Sequence, residues 1–277
     1  VNPLICVIWC SKALMGLFPG TPFWMWACAF ASLFTVLNLR RITATARTNE
    51  FLTAVMGVVI LWTLGACARY LLQLPDLDAQ RFITPFYDPE RFSWRSLSNG
   101  ASIAVLTYIG YDGIATLSEE VKDPRRNVLR AMVATCFIIG VLSAVEVYAA
   151  QLVWPAAEPY PDPDTAYLAV ARRAGGEILF QTLSWTLVVA TIGSASGALL
   201  AGARLLYGMG RDNAIPKSFF GYLHPKTRVP SRNVVFMGSL ALLGAFAISY
   251  QTGAELLNFG ALIGFMGVNV SSLVHYY

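Results

Sequence analysis

Eight long, nearly uncharged apolar stretches follow one another along this chain, at about 3–18, 22–39, 51–72, 98–118, 130–153, 178–208, 233–250 and 256–275. A hydrocarbon layer of ~30 Å takes about 20 mostly apolar residues in a helix, and backbone polar groups must be paired internally there. The recurrence therefore points to an all-α, polytopic membrane helix bundle. Composition agrees, being 56% hydrophobic and only 13% charged, against about one-quarter charged in soluble domains. The first stretch is short and has Pro3 at its start, whereas 178–208 is long enough to project beyond the bilayer. Val1 is not an initiator methionine and no signal peptide is recognisable, so the expectation is a piece of a larger membrane protein.

Charge orients the stretches. The segments 38–50, 119–130 and 204–232 carry 13 of the 20 Lys and Arg residues, among them Arg40, Arg125, Arg126 and Arg211. The alternate segments 73–97 and 154–177 hold few basic residues, offset by acids such as Asp78, Asp88, Asp162 and Asp164. Short basic loops stay on the cytoplasmic side, so 38–50, 119–130 and 204–232 are expected inside the cell. The net charge of +4 follows from this orientation. It gives no case for nucleic acid, because no basic stripe interleaves with exposed aromatics.

Chemistry of other kinds finds little support. Cys6, Cys10, Cys28, Cys67 and Cys136 all fall in apolar stretches without a Cys-x-x-Cys pair, so they read as small hydrophobes. Neither a metal site nor a cofactor is expected. The two histidines, His224 and His275, and the scattered acids form no nucleophile–base set, so an enzyme is not expected.

The segment Ile103–Arg130, IAVLTYIGYDGIATLSEEVKDPRRNVLR, is the exception in kind. Gly110 and Gly113 bracket Tyr111 and Asp112 well inside an apolar stretch. Each glycine weakens a helix by roughly 1 kcal/mol relative to alanine, and an aspartate near the bilayer centre adds about 2.5–3.5 kcal/mol. Together these penalties predict a discontinuous helix near 108–113. Broken helices offer carbonyls and a half-helix end to a ligand at mid-membrane, a device of transporters. Close helix packing at the two glycines is the other reading, and it does not account for a carboxylate at that depth.

Tyr108–Pro124, YIGYDGIATLSEEVKDP, with Arg125 and Arg126 after it, resembles the sixth span and following loop of amino acid–polyamine–organocation (APC) superfamily permeases. Ala203–Pro216, ARLLYGMGRDNAIP, resembles the end of the eighth span, and Thr43–Glu50, TATARTNE, the start of the fifth. The resemblance covers the third to the tenth helix of a twelve-helix permease. It implies a partial leucine-transporter-type inverted-repeat fold. Residues 1–277 would form a single transport domain, with 1–97 as the end of the first repeat plus an external loop and 98–277 as the second five-helix repeat. The family's first helix, which supplies the other half of the binding site, has no counterpart in the sequence. Some relatives carry a lysine in the fifth helix, where Met56 stands here.

By the same resemblance, Tyr108, Ile109, Gly110, Tyr111, Asp112 and Gly113 would surround the substrate, an amino acid or a polyamine such as putrescine. The function implied is secondary active transport across the cytoplasmic membrane, coupled to H+ or Na+ or working by exchange. A passive channel or structural membrane component would explain the spans but not the break. Either tyrosine could equally be interior packing. Glu119 and Glu120 with Arg125 and Arg126 are a candidate inner gate or merely an orienting surface cluster.

Glu146, in LSAVEVYAAQLVW, is an intramembrane carboxylate and a coupling candidate. Its other reading is a protonated acid bonded near Tyr148 and Gln151. Gly193, Gly197 and Ala201 form a small-residue packing stripe, and the hydroxyls of Ser194 and Ser196 among them are candidate cation ligands. Tyr167–Arg173 is expected as a short surface helix before Gly175 and Gly176, Gly208–Pro216 as a cytoplasmic turn, and Asn258 as a cap near one end of the last stretch.

Overall fold

A computed structural model describes residues 1–40, 46–75, 78–90, 92–111, 114, 121 and 123–276, with backbone alone at 46–49 and 276. Among these residues there are ten α-helices and no strands. They are α1 (Asn2–Leu17), α2 (Phe23–Leu39), α3 (Ala46–Leu72), α4 (Ala79–Ile83), α5 (Trp94–Ala104), α6 (Pro124–Val153), α7 (Ala166–Arg211), α8 (Lys217–Phe220), α9 (Ser231–Ala247) and α10 (Tyr250–Tyr276). Four helical stretches, at 50–72, 124–153, 163–211 and 250–275, are long and apolar enough to cross a membrane. Helices α1, α2 and α9 are apolar and shorter. Many of the long helices' apolar side chains face outward, including Leu129, Val133, Phe137 and Ile138 on α6. A contiguous outward apolar surface of this kind calls for a non-aqueous surrounding.

The chain divides into two compact units, residues 1–66 with 160–253 and residues 67–159 with 254–277. In the first unit α1 packs on α2, α7 and α9, and α2 packs on α7 and α9. Val7, Cys10, Phe34, Val170, Leu179, Leu199 and Val234 form its fully buried centre. The close approach of α2 and α9 depends on Gly238, where a Cβ would collide with Thr35 Oγ1. Buried Asn233 at the start of α9 donates to the carbonyls of Ala203 (3.2 Å) and Phe220 (2.9 Å), tying α9 to α7 and α8. Lys12 on α1 reaches the loop before α7, meeting Asp162 at 3.2 Å and Asp164 at 2.5 Å.

Two expectations need correcting in this unit. The helix α7 begins at Ala166 and runs through a kink at Gly176 (φ +74°) to Arg211. Leu168, Val170 and Ala171 in its first turns are buried, so 167–173 is a packed segment and not a surface helix. Alternation of Leu168, Val170 and Ala171 with Arg172 and Arg173 gives two faces, and the apolar one is covered. Of the turn expected at Gly208–Pro216, Gly208–Arg211 instead continues α7, and the bend follows it, where Asn213 takes a left-handed φ of +59° and the Ala214 N–H donates to the Met209 carbonyl at 2.9 Å.

In the second unit the short helix α4, capped by Asp78, is pinned to the end of α6. Arg81 donates two N–H groups to the Leu152 carbonyl, at 2.8 and 3.1 Å. The Tyr148 hydroxyl donates to the Phe82 carbonyl at 3.1 Å, and the Tyr148 ring packs on Phe86 with centroids 4.8 Å apart. Residues 78–90 thus form a built element on the end of α6, where the sequence suggested a plain connection.

Candidate functional site

The stretch expected to break does so, and earlier than expected. Helix α5 ends at Ala104, a 3-10 turn covers Val105–Tyr108, and Ile109 is extended at φ −62°, ψ 122°. β-Branched Val105, Thr107 and Ile109 crowd the preceding turn of a helix and lower its propensity. Gly110 then takes φ +115°, a value that side-chain-bearing L-residues rarely adopt. The next described α-helix begins at Pro124, where Asp123 precedes it at φ +50° and its carbonyl accepts from Arg126 and Asn127. Proline at the first helical position costs nothing, since that N–H has no helical partner.

Two side chains hold the broken segment from different sides. The Tyr108 hydroxyl presses against α6 at Gly140, where any Cβ would collide with it. The Tyr111 ring lies on Phe265 of α10, with centroids 5.7 Å apart and planes at 48°. Eight residues before Gly110, the carbonyl of Ser102 accepts from the Asn258 side-chain amide at 2.9 Å. Asn258 and Phe265 are about two helical turns apart, and their partners Ser102 and Tyr111 follow in the same chain order. α10 and the broken segment therefore run in the same direction. Asn258 is 3% exposed and lies nine residues into α10, so it is a cross-link and not an end cap.

Tyr108, Ile109, Gly110 and Tyr111 thus come together at the interruption between α6 and α10. Asp112, Gly113, Glu119 and Glu120 lie outside the described residues. Arg125 and Arg126 are exposed in the first turn of α6. Glu146 is part-buried on α6, while the hydroxyl of Tyr148, a suggested partner for it, is given to Phe82. Ser194 and Ser196 stand on α7 of the other unit. Ser194 is exposed, and the buried Ser196 hydroxyl has no hydrogen-bond partner among the described residues.

Sequence reasoning missed Gly140, the Asn258–Ser102 bond and the Lys12 cluster. A glycine inside an apolar helix and a lysine inside α1 were the available signals. It also missed a cleft of about 700 Å³ at the loop end of the second unit, lined by Asp78, Arg81, Phe86, Asp88, Phe92 and Gln151 among others. No group of three or more metal-capable side chains occurs among the described residues.

The sequence profile described as amino acid permease matches residues 2–277. The low-affinity putrescine importer PlaP of Escherichia coli K12 is 32% identical over 281 residues, covering 99% of this chain and 60% of the importer. The branched-chain amino acid permease BcaP of Lactococcus lactis subsp. cremoris is 30% identical over 198 residues, covering 68% of this chain and 40% of that permease. The vacuolar cationic amino acid transporter 4 of Arabidopsis thaliana is 29% identical over 189 residues, covering 66% of this chain and 30% of that transporter. The chain spans at most about three-fifths of the length of these three relatives.

Proposed function

The chain belongs to the amino acid permease family, and from that membership we propose that its protein is a secondary active transporter moving amino acids across the cytoplasmic membrane. The observation that carries the reading is the interruption of α5 at Val105–Gly110, with Gly110 at φ +115°. A helix that stops inside an apolar stretch leaves peptide dipoles to orient a substrate ammonium. Tyr108–Gly113 would surround that ammonium, either tyrosine ring adding about 0.5–2 kcal/mol of cation–π attraction. Glu146 would pass the coupling proton, with Ser194 and Ser196 the alternative as ligands of a coupling Na+; simple exchange needs neither. Glu119 and Glu120 would close against Arg125 and Arg126 on the inner side. Residues 98–277 would form the second five-helix repeat of a leucine-transporter-type fold, and 1–97 the end of the first.

A second reading is import of a polyamine such as putrescine. It is favoured by the alignment with the putrescine importer over 99% of the chain, and by the acids at 112 and 146, either of which could pair a second ammonium. Uptake by the full-length protein in proteoliposomes tests both. Saturable uptake with counterflow of labelled leucine or arginine supports the first reading, and putrescine outcompeting both supports the second. Flux without saturation would mark a passive pore and overturn the carrier.

A further inference from the structure

In the first unit, the start of α9 sets a row of cations beside an outward apolar stripe, and the transport reading uses neither. The distribution of basic residues assigns this end to the cytoplasmic side. Residues 217–232 hold Lys217, Lys226, Arg228 and Arg232 and no acid, and all four cations are exposed. Asp212, the acid nearest to them in sequence, is taken by Arg211 at 2.8 Å. Orienting a membrane protein requires only the charge of such a loop. Here the cations are also held in place.

Arg232, in the first turn of α9, donates Nη1 to the Ser218 carbonyl at 2.7 Å and lays its guanidinium over the Tyr222 ring, 4.3 Å from the centroid. These two anchors set the plane of the group. Its Nε and Nη2 have no partner among the described residues, and that edge is the fork that meets a phosphate through two parallel hydrogen bonds. The ammonium of Lys217, the residue beside Ser218 on α8, likewise has no partner among the described residues. Phe236, Leu240 and Leu243 follow Arg232 on one face of α9, at i+4, i+8 and i+11, and are 41–67% exposed. Phe219 packs edge-on against Phe236, with centroids 6.4 Å apart, and extends the apolar surface onto α8. From Arg232 to Leu243 the helix rises about 16 Å, close to one leaflet of a ~30 Å hydrocarbon layer. A free anion would use the cations alone, and a covering helix the stripe alone. A phospholipid uses both.

We propose that the corner between α8 and α9 binds one anionic phospholipid of the cytoplasmic leaflet, its phosphate on Arg232 and Lys217 and an acyl chain along Phe236, Leu240 and Leu243. A zwitterionic headgroup brings a cation of its own toward Lys217, Lys226 and Arg228, so the site selects a net negative charge. Asn233, the residue after Arg232, ties α9 to α7 and α8, so a lipid held here braces the junction of three helices. The inference goes beyond the transport reading, because lipid binding alone can test it.

The test uses delipidated full-length protein in detergent, titrated with dioleoylphosphatidylglycerol or dioleoylphosphatidylcholine, which share their acyl chains and differ in net charge. Native mass spectrometry counts the bound lipids and yields their dissociation constants. Wild type should hold one phosphatidylglycerol about tenfold more tightly than phosphatidylcholine. Arg232→Gln and Lys217→Gln should each weaken phosphatidylglycerol binding about fivefold and leave phosphatidylcholine binding unchanged. Lys226→Gln removes the same charge away from the corner and should weaken it less than either. The Lys217 ammonium makes no bond, so its variant decides the matter even if Arg232→Gln lowers the unfolding temperature. Leu240→Ser/Leu243→Ser should weaken both lipids alike. Equal retention of the two lipids by wild type would overturn the site. So would equal losses in Lys226→Gln and Arg232→Gln, the mark of diffuse attraction to the loop. Displacement of the lipid by an equal concentration of glycerol 3-phosphate would mark a free-anion site, and no retained lipid at all a stripe covered by protein; either result overturns the proposal.

Discussion

The side-chain amide of Asn258 donates to the main-chain carbonyl of Ser102 at 2.9 Å, joining α10 to α5 across 156 residues of sequence. Asn258 is 3% exposed, whereas Ser102 is exposed, so the bond ties a buried amide to an accessible carbonyl. Replacing Asn258 by leucine should cost about 0.5–1.5 kcal/mol, the usual net contribution of an intramolecular hydrogen bond whose other partner stays accessible. Thermal unfolding of the full-length protein in detergent measures it.

Tyr108 and Gly140 should behave as a coupled pair. Gly140→Ala places a methyl group against the Tyr108 hydroxyl, and overpacking of this kind costs about 1–3 kcal/mol. Tyr108→Phe removes only the colliding oxygen. The double variant should therefore recover most of the lost stability, and a double-mutant cycle of unfolding free energies reads the coupling. Additive effects would mean that the two residues do not touch.

At Gly110 the penalty comes from the backbone alone. A Cβ there meets nothing within 4 Å, but φ is +115°. Gly110→Ala should destabilise by about 1–3 kcal/mol and reduce uptake by more than an equally destabilising change in α9. Comparison of initial uptake rates at matched protein levels separates the two effects.

Lys12 bridges to Asp162 and Asp164 with side chains 20–39% exposed. Partly exposed pairs contribute about 0–1 kcal/mol and are screened by salt. Lys12→Gln should therefore lower the unfolding temperature slightly at low salt, and less at high salt. Asp164→Asn added to it should have little further effect.

If Glu146 passes the coupling proton, Glu146→Gln should abolish uptake driven by a pH gradient while leaving exchange of labelled for unlabelled substrate. Measured in the same vesicles, normal gradient-driven uptake in this variant would remove Glu146 from the mechanism.

What could be read from the chain was local. Both boundaries of α2 and α9, and the ends of α3 and α10, lie within three residues of the apolar stretches, because the length of an uncharged run is a property of contiguous residues; α3 and α10 start five and six residues earlier than their stretches. The glycine at the break was readable for the same reason, since a residue without a Cβ inside an apolar run announces unusual backbone. The earlier end of α5 at Ala104 was harder. Val105, Thr107 and Ile109 are apolar enough to continue a run, and only their branching disfavours the helix. Contacts across long separations were not readable at all. Lys12 offers no local sign that Asp162 and Asp164 will meet it, and Asn258 looks like a cap until Ser102 is seen beside it. The cleft at 78–97 had a signal, an unusual density of aromatics beside two aspartates, but such a loop can equally be plain connection until Arg81 and Tyr148 are seen to pin it.

The +115° torsion at Gly110 makes tolerance there a matter of handedness. The mirror-image amino acids prefer the half of backbone space that their natural counterparts avoid. A semisynthetic protein with D-alanine at position 110 should therefore keep the fold and the flux that L-alanine loses, although the two differ by no atom.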